Sequence, residues 1–221
     1  MTGDLHNHPG KNPGILSIAY LGPVSYFSKI LLHGSIVIEK HENYSRQSYR
    51  NRCEILGANG SIALSIPIKK GDEHKTPVKD VRIEYDKKWQ HLHWKSIESA
   101  YRSSPFYEFY ADYLEPFYSM RENYLFDFNY KLLLTILEMI ELEVRISVSE
   151  EYVPARDFPG SDYRDIIHPK KRDLADPMFR ALEYNQVFGE RHGFQPDLSI
   201  LDLVFNEGPN SLEVLKKCIK Y

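Results

Sequence analysis

The sequence predicts an α+β fold in which strands come first and helices follow. Between residues 14 and 86, short apolar or alternating runs are punctuated by glycine and proline, and Asn59-Gly60 is a hairpin signal. From residue 87 onward, apolar and aromatic side chains recur near helical spacing. The composition is that of an ordinary globular protein, with 42% hydrophobic and 27% charged residues, which excludes a disordered tail, a collagen or a coiled-coil rod. With 221 residues the chain can bury a core of its own. We expect one domain over residues 14–221, β-rich to 86 and helical from 87, preceded by a flexible arm at 1–13.

Each element has its own reason. Ile15 to Leu21 is apolar and bounded by Gly14 and Gly22, as a buried strand is. Pro23 suits the first turn of a helix over Val24 to Leu32. Ser35 to Glu39 is β-branched and reads as a strand. Tyr49 to Ile55 and Ser61 to Ile68 alternate and should pair about Asn59-Gly60. Lys69 to Lys79 is a charged loop, and Val81 to Tyr85 alternates as a short strand. Trp89 to Arg102 is helical in spacing until Ser104-Pro105, and Phe106 to Tyr118 is a second aromatic helix. A third, capped by Asn123 or Asp127, runs through Leu132, Leu133, Ile136, Leu137 and Ile140. Arg145 to Val148 reads as a strand. Residues 154–178 have no period and are expected to form a long loop, a common setting for functional lids. Helices are expected at Glu183 to Arg191, Ile200 to Phe205 and Leu212 to Ile219.

Charge and motifs narrow the function. Lys plus Arg is 28 and Asp plus Glu is 31, a net charge of −3, which argues against an electrostatic nucleic-acid binder. Two cysteines make no disulfide framework. No apolar run spans a membrane and the N-terminus does not read as a signal peptide, so the expectation is a cytoplasmic protein with reduced thiols. Neither GxxxxGK[ST] nor GxGxxG occurs, nor do HExxH, CxxC or GxSxG, so nothing announces ATP, a dinucleotide, zinc or a serine nucleophile.

Several single residues are candidates. His91 and His93 would share a face on a strand but diverge by about 200° on the expected helix, so they make a poor metal pair. His93 is a candidate general base, because neutral imidazole accepts a proton near pH 7. Cys53 sits beside Arg52, whose charge would favour a thiolate, although its alternation with Tyr49 and Ile55 equally suits an inert buried thiol. Arg52 is suited to a carboxylate or phosphate, or to an ordinary salt bridge. The aromatic residues from Trp89 to Tyr118 are expected to be core more than a stacking surface. Lys170, Lys171 and Arg172, with Arg164 upstream, form a basic run that is either solvated or an anion clamp. Ser199 is a natural N-cap, with Asp202 placed to complete a capping box.

Taken together, Tyr26-Phe-Ser-Lys-Ile30, Tyr49-Arg-Asn-Arg-Cys-Glu-Ile55 with Leu64-Ser-Ile-Pro-Ile-Lys-Lys70, Trp89 to Tyr101 followed by Ser-Pro-Phe106, and Tyr184-Asn-Gln-Val-Phe188 with Gln195 to Gly208 carry a resemblance. Their order and spacing resemble the WbqC-like family of bacterial proteins. The resemblance implies a role in O-antigen-like surface-polysaccharide biosynthesis. It also implies transfer of glycine or another acyl or aminoacyl group to an amino sugar on a nucleotide carrier. Many members of the family begin with a His-Gln-Pro-x-Tyr element. This chain has Ala19-Tyr-Leu-Gly-Pro23 there and lacks that histidine. On this reading His93 and Arg52 are the catalytic pair, with Asn51, Tyr26, Tyr101, Gln186, Arg164 and Lys170 binding substrate. The implied partners are a nucleotide sugar or acyl donor, with neither nucleic acid nor membrane insertion, and no metal or other cofactor is implied. A different class of reading is a non-catalytic binding or scaffold protein of a polysaccharide assembly system. Its contact surface would be the aromatic residues at 106–118.

Overall fold

The computed structural model describes residues 12–72, 75–171 and 176–220. His6 and His8 of the expected arm, and Arg172 of the basic run, lie outside the described residues. In chain order the elements are β1 (Gly14–Ser17), α1 (Val24–His33), β2 (Ser35–Glu39), β3 (Arg52–Gly57) and β4 (Gly60–Ser65). Then come α2 (Trp89–Tyr101), α3 (Tyr107–Leu114), α4 (Leu125–Met139), β5 (Arg145–Val148) and β6 (Ser161–Asp162). The chain closes with α5 (Gly189–His192), α6 (Ile200–Glu207) and α7 (Ser211–Cys218). This is an α+β fold with its helices concentrated in the second half.

The main sheet joins strands that lie far apart along the chain. β1, β2, β5 and β6 form one parallel sheet in the order β5-β2-β1-β6. Ile15 lies opposite Val37, and Ile36 opposite Ile146. The expected loop over 154–178 therefore contains a strand. Two residues are too few to show a period, and β6 is set by its partner rather than by its own sequence. Parallel strands need a crossover. Here α1 supplies it between β1 and β2, ending at Gly34, whose φ of 65° lets its N–H reach the Ile30 carbonyl at 3.1 Å. α1 packs against α6 and α7 as well as the strands, so it is buried on nearly every side, Ser25, Ser28 and Lys29 included.

The hairpin forms as β3 against β4, with Cys53 opposite Leu64. Its turn lies one residue earlier than the sequence suggests. Ala58 and Asn59 are central, and Gly60, the first residue of β4, takes φ 111°, a backbone that favours glycine. Three other expectations are corrected. Residues 49–51 form a turn, so the strand starts only at Arg52. The Val81–Tyr85 run makes isolated bridges, Ile68 with Ile83 and Arg82 with Tyr124, rather than a strand. Residues 183–188 are non-helical and only Gly189–His192 coils, because Tyr184 and Gln186 both reach one buried carboxylate, as described below. In the second half, Pro116 converts the end of the aromatic helix into a tighter turn over Glu115–Tyr118. Neither Asn123 nor Asp127 caps α4, whose first flanking residue is Tyr124. Phe128 is the hub of the core there, with Trp89, Phe117 and Tyr20 rings 5.7 to 6.2 Å from its own.

Candidate functional site

Open parallel sheets place ligands beyond the carboxyl ends of their strands, where the connections diverge to opposite sides. Here β1 leads through α1 towards β2, while β6 joins the other flank of β1. At those ends lie Ser17, Glu39 and Asp162, with Ser149 immediately after β5. A cleft of about 580 Å³ opens beside them, lined by residues that include Glu42, Arg50, Tyr152, Arg164, His168 and Lys170.

One carboxylate organises this end of the sheet. Glu39 is fully buried, which an ionised group tolerates only when its oxygens are satisfied. Its Oε1 accepts from the His41 backbone N–H and the Ser149 hydroxyl, both at 2.7 Å. Its Oε2 accepts from the Val153 N–H at 2.9 Å and from Arg164 Nη1 at 3.4 Å. Arg164 is held further by Asp162, which receives Nε and Nη2, and by the Val153 carbonyl at 2.8 Å. Burial raises the Asp162 carboxyl, but these bonds from Arg164 outweigh it and hold the group below its ordinary range.

Arg50 forms the opposite wall. Its Nε and Nη2 grip Glu42 at 3.0 and 2.6 Å, and Nη2 also donates to Ser17 Oγ at 2.8 Å. The fully buried Asn129 of α4 donates to the Arg50 carbonyl at 2.6 Å and fixes that backbone. Both arginines are therefore preset by carboxylates, and Nη1 of Arg50 takes no part in those bonds. Lys170 and Lys171 add two further cations. The cleft thus holds four cationic side chains against the carboxylates of Glu42 and Asp165.

Two imidazoles complete it. His168 Nδ1 accepts the Lys170 backbone N–H at 3.1 Å, which leaves Nε2 carrying the proton of the neutral ring. Burial first, then the charges of Arg50, Lys170 and Lys171, lower its pKa, so it stays a neutral donor. His41 also lines the cleft, and its Nε2 is enclosed without a hydrogen-bond partner. Such an orphan is unusual, because buried polar atoms are nearly always paired.

The wall that carries Lys170 is pinned from beneath by α1. His33 Nε2 and the Tyr163 hydroxyl are 2.8 Å apart. One turn earlier, fully buried Lys29 pairs with Asp176 at 2.8 Å and sits 5.3 Å from the Tyr163 ring centre. Burial lowers the Lys29 pKa, and Asp176 opposes that.

Of the eight candidate residues, Arg164 and Lys170 lie on the cleft, and Tyr26 lies just below it with its hydroxyl on the Ser17 carbonyl at 3.0 Å. The other five are elsewhere. His93 is buried in α2. Its Nδ1 is 2.9 Å from the Tyr20 hydroxyl, which is 2.9 Å from that of Tyr118. Its other nitrogen bonds the Ser65 carbonyl. Tyr118 therefore donates to Tyr20, and Tyr20 to His93. Burial lowers the His93 pKa to about 4. Asn51 holds the Ile66 carbonyl at 2.9 Å, and Arg52 pairs with Glu54 along its own strand at 3.1 Å. Gln186 donates to Asp202 at 2.7 Å, Tyr184 at 2.9 Å, and the Tyr101 hydroxyl faces the same carboxylate. Burial pushes Asp202 up to about 6, against the pull of those bonds. Asp202 is thus a buried acceptor rather than half of a capping box, while Ser199 does cap α6 through the Leu201 N–H. Cys53 is buried beside Tyr20 and Tyr118, and burial drives its thiol well above the ordinary range, which removes the thiolate a nucleophile needs.

Sequence reading missed Arg50, His41 and His168. The available signal was the polar run Lys40-His-Glu-Asn43 directly after a β-branched strand, at the carboxyl end of a strand–helix–strand unit.

Among the described residues, no helix is long and apolar enough to cross a membrane, and no group of three or more His, Cys, Asp or Glu side chains could hold a metal ion. The chain is 24% identical to the uncharacterized protein Rv1507c of Mycobacterium tuberculosis over 234 residues, covering 94% of this chain and 99% of that one. No solved structure matches it. The model of the WbqC-like protein family matches residues 19–167, which take in β2, the hairpin and Glu39, Arg50 and Arg164 of the cleft. That match spans most of the chain, and the protein belongs to the WbqC-like family, which is associated with polysaccharide biosynthesis.

Proposed function

We propose that the cleft at the carboxyl ends of the parallel sheet is the substrate site of a transferase of surface-polysaccharide biosynthesis. It passes glycine or another acyl or aminoacyl group to the amine of a sugar carried on a nucleotide. The observation that carries this reading is the juxtaposition of four cationic side chains with a neutral donor, His168, in one cleft.

In this scheme Lys170, Lys171 and the Nη1 edge of Arg50 bind the diphosphate of the acceptor. The amine attacks the carbonyl carbon of an activated acyl donor, a thioester or ester. The C–N bond forms, the bond to the donor's leaving group breaks, and the departing thiolate or alkoxide takes up the proton that the amine loses. His168 donates to the carbonyl oxygen as negative charge develops on it. Positioning and preset charge supply the rate.

The test is ligand-induced stabilisation followed by mass spectrometry of products, using UDP-linked amino sugars with glycyl and acetyl thioesters. The expected result is a rise in melting temperature with the diphosphate-bearing acceptor and a product heavier by the acyl group, both lost in Lys170→Ala/Lys171→Ala. A folded protein that no diphosphate stabilises would overturn the reading. Interest would then pass to the scaffold alternative, for which Phe109 (72% exposed) and Tyr113 on α3 are the surface to test.

A further inference from the structure

The cleft has one wall that phosphate chemistry does not use. Tyr152 lines it with 55% of its surface exposed, a large apolar ring left in water beside four cations. An isolated exposed tyrosine is unremarkable, but this ring is not loosely placed. The Arg164 guanidinium carbon lies 5.7 Å from its centre. That guanidinium is itself clamped by Asp162, Glu39 and the Val153 carbonyl. The next residue, Val153, is tied to Glu39 through its N–H. The ring is therefore backed by a rigid cation and anchored at its own backbone neighbour.

We infer that Tyr152 is the platform on which the nucleobase of the nucleotide-carried sugar stacks. Every nucleobase presents a π-face, and a fixed aromatic ring beside a cationic groove is the usual means of holding one. The backing by Arg164 withdraws electron density from the tyrosine ring and costs no reorganisation on binding. This inference rests on the proposed anion-binding role of the cleft and adds the base-recognition half of the site.

The two parts separate in one calorimetric experiment with UDP, ADP and inorganic pyrophosphate as probes. Pyrophosphate reports the cations alone. UDP or ADP is expected to bind at least about 10-fold more tightly than pyrophosphate, the gain one stacked base gives. Tyr152→Leu is expected to erase that gain and leave pyrophosphate affinity unchanged, and Tyr152→Trp to restore it. If pyrophosphate binds but the nucleotides bind no better, or if Tyr152→Leu weakens pyrophosphate equally, the stacking role is overturned while the anion site stands. If none of the three binds, the anion site falls and the stacking role with it.

Discussion

Gly160 is the position at which β6 is most sensitive. A Cβ built there would sit 1.8 Å from the Pro13 carbonyl oxygen and 2.8 Å from the Phe158 ring. Ordinary contact begins at 3.4 Å, so the two backbones would have to part by about 1.6 Å. The obstacle is main chain, which cannot swing aside as a side chain can. The Ser161 N–H to Pro13 carbonyl bond, 3.0 Å long, would break. Gly160→Ala therefore combines overpacking, about 1–3 kcal/mol, with a lost hydrogen bond of about 1 kcal/mol. The sum is about 2–4 kcal/mol, which for a chain of this size lowers Tm by roughly 10 °C. Asp162 and Arg164 would shift with the strand, so pyrophosphate affinity should fall as well. Gly189→Ala is the control, since its nearest atom would be a Gln186 carbon at an ordinary 3.7 Å. Differential scanning calorimetry of both variants, with pyrophosphate titrations, is the assay. A Gly160→Ala protein melting within about 2 °C of wild type and binding normally would refute the reasoning.

Three further outcomes are expected. Folded Asp202 keeps its proton up to about pH 6, whereas the unfolded chain releases it near 3.8; the folded state binds more protons in that window, so stability falls as pH rises across it, by about 3 kcal/mol from this group. Denaturant midpoints from pH 4 to 7 should slope less steeply in Asp202→Asn, and parallel slopes would exclude the assignment. Arg50→Ala should destabilise by about 3–5 kcal/mol because it strands buried Glu42, while Arg52→Ala breaks only a partly exposed pair and should cost less than about 1 kcal/mol; chemical denaturation showing equal losses would contradict this. Cys53 and Cys218 are both buried, so iodoacetamide at pH 8 should label neither until denaturant is added, and mass spectrometry finding native labelling of Cys53 would count against its inert placement.

The parts of the fold visible in sequence were those whose partners are close along the chain. The hairpin, α2, α4 and α6 each show their own period or cap. β6 does not, because its two residues pair with a strand nearly 150 positions earlier. The candidate site suffered from a related slip. The family resemblance gave Asn51 and Arg52 the functional places in Tyr49-Arg-Asn-Arg52. The strand begins only at Arg52, and the turn before it sends Arg50 into the cleft instead. Likewise a helical reading of residues 183–191 hid the two-residue spacing by which Tyr184 and Gln186 both meet Asp202. Arg164 and Lys170 were legible from charge alone. Which cations face a cleft and which face water depends on strand ends that period cannot place.

The Glu39 knot also bears on when the cleft can assemble during synthesis. Its ligands come from residues 41, 149, 153 and 164, so the carboxylate stays unsatisfied until the chain has grown past Arg164. A nascent protein ending at the hairpin would hold β1, α1 and β2 with an acid at their edge met only by the His41 N–H. Pairings this distant are slow to close, and the parallel sheet cannot be completed by any shorter fragment. The cationic cleft is thus a late product of folding, formed in the same event that buries Glu39. A truncated chain would lose the cleft outright rather than by degrees.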